Sequence, residues 1–268
     1  MEQIILAILI IALGFYCFYF YPFEKGNVKK LILAAIFVIL TAICKRLAIM
    51  IPLFGTESLK IGFEYIPLML AGYFLSPSYT FLIGLSSDVI GLILVPTGFP
   101  FLGFTLGTIL VSVIPSLVKE RVKLLSMKQI ERLTIGIILI LGIGATFYIS
   151  TLEYVSINKT IYTMTWEYKI SLISICLILV FVFIGFIYLL KRRINEEQSH
   201  IFSTWVMSVV MVELICTLCL TPLWLDMMYG VPYVVSLCIR IIKECVVLPI
   251  EIFIGYTLIQ LLNRVLKI

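Results

Sequence analysis

Charge is scarce in this 268-residue chain: only 13% of the residues are Asp, Glu, Lys or Arg, while 62% are hydrophobic. That balance excludes a soluble domain of useful size and indicates a polytopic membrane protein. Histidine is scarcer still. The only one, His200, stands in a charged loop, which removes most imidazole chemistry, and no HExxH pair occurs. There is no GxxxxGK[ST] phosphate loop either, so the chain does not hydrolyse ATP by that route. Gly84-Leu85-Ser86-Ser87-Asp88 only brushes the nucleophile-elbow pattern, and no intramembrane His is available as its base. An enzyme is therefore not expected. No internal repeat of the kind found in many secondary transporters is visible.

The seven cysteines lie in or beside apolar segments. Cys216 and Cys219 form a CxxC, but no second pair accompanies it, so small buried apolar residues are the better account than metal or redox chemistry. The net charge of +5 would suggest nucleic acid in a soluble protein. Here it reflects the Lys/Arg excess expected of cytoplasmic loops.

One stretch organises the rest. From Lys60 to Leu117 the chain is apolar nearly throughout, yet it carries Asp88 at its middle and Pro96, Gly98, Pro100 and Gly103 just beyond. Those four cannot sit inside one regular helix, so the stretch predicts three membrane spans, ending near 75, ending near 94 and starting near 104. A carboxylate inside an apolar helix costs about 2.5–3.5 kcal/mol on insertion scales and faces a partner or a wet cavity. Asp88 is thus the first candidate for a binding site.

Before that stretch, residues 3–22 make one uncharged span without the positive start and cleavage pattern of a signal peptide. Lys25, Lys29 and Lys30 follow it, which puts the N-terminus outside and this loop in the cytoplasm. A second span runs from 31 to about 49, with Ala34, Val38 and Ala42 forming a stripe of modest side chains. Such a stripe suits ordinary helix packing and partner docking alike. Lys45 and Arg46 end this span on the outer side, against the positive-inside trend, and suit either an anionic ligand or lipid headgroups.

After the central stretch, KERVKLLSMKQIER carries five basic residues and is cytoplasmic by the same rule. Spans at about 133–152 and 169–190 follow, joined by a polar, aromatic outer loop that includes the sequon Asn158-Lys159-Thr160. Another span from 201 to about 220 holds Glu213 and leads to the outer turn LTPLWLDMMYGVPY. The last, from 234 to about 262, carries Arg240, Lys243, Pro249 and Glu251, and its length requires a tilt or a kink. The count is nine spans, with a cytoplasmic C-terminus. Thirteen of the 20 Lys and Arg fall on the cytoplasmic side.

Taken together, KIGFEYIPLMLAG, SSDVIGLILVPTGFPFLGFTL, LTPLWLDMMYG and RIIKECVVLPIE resemble the substrate-binding S component of an energy-coupling factor (ECF) vitamin transporter, of the folate family. The shared features are a Tyr65-Ile66-Pro67 helix similar to the family's phenylalanine-isoleucine-proline helix, an Asp-x-x-Gly helix, and a Pro-Thr-Gly loop ending in Gly-Phe-Thr-Leu. A Leu-Trp-Leu…Tyr-Gly turn and an Arg-x-x-Lys…Leu-Pro-Ile-Glu helix complete the set. They cover about 28–119 and 200–268, in family order. The resemblance implies an all-α polytopic membrane protein, a six-helix S-component bundle with one extra N-terminal span and one inserted helical hairpin. In ranges, 1–27 is the added helix, 28–119 holds bundle helices 1–4, 120–199 the inserted hairpin, and 200–268 helices 5–6.

Functionally the resemblance implies a high-affinity vitamin-binding subunit in a bacterial plasma membrane, taking a folate-like ligand outside and releasing it inside. Its partners would be a membrane coupling subunit, meeting Ala34, Val38 and Ala42, and two ATP-binding-cassette ATPases. This chain would need no cofactor of its own; the ATPases use the ATP. A pterin presents adjacent amino and ring N–H donors, which a carboxylate such as Asp88 accepts as a pair. Phe63, Phe104, Trp224 and Tyr229 offer walls for the aromatic ring, and Thr97 and Gly98 lie in the motif loop. Arg46, Lys60, Arg240 and Lys243 are the candidate cations for the glutamyl carboxylates. Arg46 and Arg240 serve equally as structural ion pairs to Asp88 or Glu244, and Trp224 and Tyr229 as an interfacial belt.

The chain departs from the family pattern at Glu64 (a small residue in the family), Leu102 (Pro) and Thr221-Pro222 (Asn-Thr). Two alternatives keep the membrane location. One is an S component for another heterocyclic vitamin; the other is a secondary transporter of an anionic metabolite acting alone, with Asp88, Glu213 and Glu251 as proton carriers.

Overall fold

The computed structural model describes residues 2–24, 27–53, 56–94, 100–157, 160–192 and 196–266, without the side chains of 49–53, 56–61, 155–157, 160–162, 179, 190, 196, 197, 242, 245 and 266. Uncharged apolar runs form its long helices because only a helix satisfies every backbone N–H and C=O within one segment in lipid. In order these are α1 (Glu2–Phe20), α2 (Val28–Arg46), α3 (Tyr65–Phe74), α4 (Pro77–Leu94), α5 (Leu102–Val122), α6 (Met127–Thr151), α7 (Trp166–Lys191), α8 (Glu196–Val212), α9 (Thr221–Tyr229) and α10 (Tyr233–Leu266). A π-helical stretch, Glu213–Leu220, joins α8 to α9. Among the described residues, seven helical segments are long and apolar enough to cross a membrane. This is a multi-pass membrane protein.

The helices follow the expected order, but among the described residues seven segments, against nine expected spans, have the length and hydropathy to cross. Six segments (α2, α3, α4, α5, α8 with its continuation, and α10) form the bundle; α1 is the added helix and α6–α7 the inserted hairpin. Helix α5 runs through the middle, touching α1, α3, α4, α8, the π-helical stretch and α9. Close approach explains its position. A Cβ on Gly84 of α4 would lie 2.6 Å from Ile109 Cα, and one on Gly72 of α3 would lie 2.3 Å from the Ser112 carbonyl oxygen. Small residues at such contacts let backbones meet in lipid, where association depends on packing. Helix α2 packs on α3 and α4, whereas α6 packs on α7 and α8, and α7 also on α10.

Several local expectations are corrected. The span expected to end near 75 is α3, of only 10 residues. At about 15 Å it is half the thickness of a hydrocarbon core, so it does not cross alone. Its expected first residues instead belong to a hairpin, β1 (Ile49–Leu53) paired antiparallel with β2 (Thr56–Ile61), where a plain outer loop was expected. The outer loop between α6 and α7 contains a second hairpin, β3 (Tyr154–Ile157) with β4 (Thr160–Thr163). All-α therefore describes the membrane-embedded part.

The outer turn after 220 is also helical: the chain continues through Pro222 to Tyr229. Pro222 lies in a helix that is continuous from α8 through the π-helical stretch, and the Leu218 carbonyl four residues back, which a proline cannot donate to, instead accepts from the Tyr233 hydroxyl at 3.4 Å. The helix stops at Gly230, whose φ of 64° closes a left-handed cap that side chains with a Cβ resist.

Candidate binding site

Chain alternation gathers the motif-bearing segments at one end of the bundle: the end of α2, the start of α3, the second half of α4, the start of α5, α9 and the first half of α10. Helix α1 arrives there in the opposite sense to α2, so its first turn lies beside the first turn of α5. Gln3 Oε1 accepts a hydrogen bond from the Leu102 N–H at 3.1 Å, meeting one of the four donors a helix start leaves open.

Asp88 is buried between α2, α4 and α5, and its carboxylate is already furnished with donors. Lys45 Nζ lies 3.0 Å from Oδ1, and Thr105 Oγ1 donates to Oδ2 at 2.7 Å. The Thr108 hydroxyl lies 3.3 Å from Oδ1 and 3.1 Å from the Phe104 carbonyl, so its one proton is shared. The Lys45 stem crosses α4 where a side chain is absent, with its Nζ 3.2 Å from the position a Cβ on Gly91 would take. The structural ion pair to Asp88 is thus made by Lys45, while Arg46, the residue expected to make it or to bind ligand, is exposed at the end of α2.

A second polar group is built where α3, the π-helical stretch and α10 meet. Glu213, Glu244 and Glu251 are buried there, as are Glu64 and Arg240. Lys243 Nζ is 2.9 Å from Glu244 Oε1, and Arg240 Nε lies 3.4 Å from Ser236 Oγ. Glu213 faces both Glu251 and Glu244, with Lys243 and Arg240 within electrostatic reach. Among the described residues, neither oxygen of Glu213 has a hydrogen-bond donor, and Glu251 Oε2 has none.

The aromatic candidates divide. Trp224 is buried, its ring 5.9 Å from Phe101, which in turn is 5.8 Å from Phe104. Gly103 makes room for it: a Cβ there would lie 2.8 Å from Trp224 Cδ2. Trp224 therefore belongs to the bundle and not to a lipid-facing belt, and its Nε1–H has no acceptor among the described residues. Phe63 and Tyr229 are exposed. The Lys60 side chain, Thr97 and Gly98 lie outside the described residues. In α2, Ala34, Val38 and Ala42 are half-buried, and Ala34 and Val38 pack against the core.

Over 86 residues this chain is 35% identical to the folate transporter FolT of Clostridium novyi (strain NT), a stretch amounting to 32% of this chain and 49% of that protein. The chain spans about half the length of this curated relative in the match. The crystal structure of FolT bound with folic acid is similar at a TM-score of 0.47 and 19% identity, covering 86% of this chain and 93% of that one. No family model matches.

The motif-bearing segments meet at one end of the bundle, together with polar residues that the motifs do not single out. Nothing in the sequence sets Lys45 apart from its neighbour Arg46, and Thr105 stands out only as part of the Gly-Phe-Thr-Leu motif, Thr108 not at all. From the sequence alone Glu213 and Glu251 read only as proton carriers. Glu244, adjacent to Lys243, enters only as a partner for a cation.

Proposed function

We propose that this protein is the membrane-embedded, vitamin-binding S component of an ECF-type importer, with folate as its ligand. The observation that carries the reading is the convergence of the folate-family motifs on one end of the bundle, around buried charges and the Phe101–Phe104–Trp224 aromatic cluster. A planar heterocycle and benzoyl ring suit the aromatic walls, and the glutamyl carboxylates suit Arg46 and Lys60, whereas Arg240 and Lys243, also expected as ligand cations, are buried among Glu213, Glu244 and Glu251. The protein binds and delivers; it does no chemistry on its ligand. Energy comes from two partner ATPases through a coupling subunit that docks along the Ala34, Val38 and Ala42 edge of α2, away from the α6–α7 hairpin.

Titration of the purified chain with folic acid, followed by tryptophan fluorescence or calorimetry, tests the binding role. Saturable one-to-one binding supports it, and tight binding of a different vitamin retains the S-component role with another ligand. The buried carboxyls Glu213 and Glu251 favour one competing reading, a proton-coupled carrier acting alone. Vesicles containing only this chain separate the two: accumulation driven by a proton gradient, without ATPases, would replace the S-component reading.

A further inference from the structure

We propose that the N–H-donating edge of the ligand's heterocycle is read by Glu213 and Glu251, at the junction of the π-helical stretch and α10, and not by Asp88. The inference rests on the folate-binding reading above and assigns the residues that determine specificity within it.

The two carboxylate sites differ in what they lack. Asp88 accepts from Lys45, Thr105 and Thr108, so both of its oxygens are occupied by the protein's own donors. It is a strut joining α2, α4 and α5, and a ligand would have to displace those donors to use it. Glu213 is 1% exposed and neither of its oxygens meets a donor in hydrogen-bond geometry among the described residues, although Thr217 and Glu251 lie alongside; Glu251, also 1% exposed, has one such oxygen. A buried carboxylate without donors is costly, because the loss of hydration is not replaced. Unsatisfied buried groups of this kind call for a partner.

The surroundings define that partner. Among the described residues, three buried carboxyl groups (Glu213, Glu244 and Glu251) share the region with two cations, Arg240 and Lys243. Lys243 is engaged at Glu244, so acceptors remain in excess around Glu213 and Glu251. A ligand group entering here should bring hydrogen-bond donors and no negative charge. Adjacent exocyclic amino and ring N–H groups of an aminopyrimidine-type ring meet that demand, since an ionised carboxylate accepts such a pair side by side. The backbone supports the assignment: π-helical turns widen a helix and occur often at functional sites, and here Glu213 opens the π-helical stretch. The ligand's carboxylates would be repelled from this group, which orients the molecule with its ring inward.

The test compares folic acid with its analogue carrying a methyl in place of the 2-amino group, by calorimetry on the purified full chain. The parent should prefer folic acid, and Glu213→Gln and Glu251→Gln should each weaken folic acid binding by about tenfold to a hundredfold and shrink that preference. Asp88→Asn should leave the preference between the two ligands unchanged. Monodisperse elution of each variant, and retained binding of the methyl analogue, separate a lost contact from a lost fold. If the parent binds folic acid but shows no preference, or the Gln variants keep it, this assignment is overturned while the folate reading stands. It is overturned equally if monodisperse Gln variants lose both ligands to the same extent. If the parent binds no folate at all, both the reading and the assignment fall.

Discussion

Lys45 of α2 holds its ammonium 3.0 Å from Asp88 Oδ1 of α4, over the bare backbone of Gly91. The pair ties the second helix of the chain to the fourth at the end of the bundle where the motifs meet. Both side chains are mostly shielded, at 17% and 11% exposure, so the interaction is stronger than a surface ion pair. Replacing Lys45 by Met leaves Asp88 charged with only hydroxyl donors. The expected cost is about 1–3 kcal/mol of stability, read as a lower Tm in detergent. Arg46→Met, one residue on and exposed, should cost less than about 0.5 kcal/mol. Equal effects of the two substitutions would show that the pair is not a strut.

That contrast also marks where the sequence stopped being legible. Runs of apolar residues and the placement of Lys and Arg located the bundle helices, the added helix and the inserted hairpin, because the bilayer enforces length and charge rules that single sequences display. Lys45 and Arg46 are separated by about 100° around one helix, and which of them meets Asp88 depends on a crossing that no local pattern encodes. The 51–60 loop hid a hairpin since its polar and apolar residues alternate only briefly, around Pro52 and Gly55. Thr221-Pro222 reads as a break, yet the helix runs through it because the Tyr233 hydroxyl, 11 positions further on, supplies the Leu218 carbonyl with the donor Pro222 lacks. Glu213 and Glu251 are 38 positions apart and come together only through the packing of the π-helical stretch against α10.

Glycine contacts at α5 yield a second expectation. A methyl on Gly84 would stand 2.6 Å from Ile109 Cα and 3.0 Å from the Thr108 carbonyl, both backbone atoms that cannot swing aside. Gly84→Ala should therefore force α4 from α5 and cost about 1–3 kcal/mol. Gly144→Ala, in the inserted hairpin, meets nothing within 4 Å and should be neutral. Unfolding of the two variants in parallel checks this, and a neutral Gly84→Ala would mean the α4–α5 contact is looser than described.

The added N-terminal helix is fastened along its length and not only at its first turn. Cys17 is fully buried against the α4–α5 surface, and a Cβ on Gly14 would lie 2.9 Å from Phe81 Cζ. Gly14→Leu should lever α1 away from Phe81. Cys17 then becomes the reporter: its thiol should react with a membrane-permeant maleimide much faster in the variant than in the parent. Unchanged labelling would show that α1 adjusts without leaving the bundle.

Gly255 of α10 and Trp205 of α8 make a close contact between these two helices. The indole is fully buried, donates from Nε1 to the Ile252 carbonyl at 3.2 Å, and occupies the space a side chain on Gly255 would need, with Cζ2 only 2.0 Å from the ideal Cβ position. Gly255→Ala alone must displace the largest buried side chain in the bundle, and overpacking of this kind costs about 1–3 kcal/mol. Trp205→Phe alone leaves a cavity and an unpaired share of the Ile252 carbonyl, also destabilising. In the double variant the smaller ring leaves room for the methyl, so the two losses should not add. A coupling of about 1 kcal/mol or more in a double-mutant cycle is expected, measured by thermal unfolding. Strict additivity would instead show that the two helices separate when either residue is changed, and that this contact does not set their spacing.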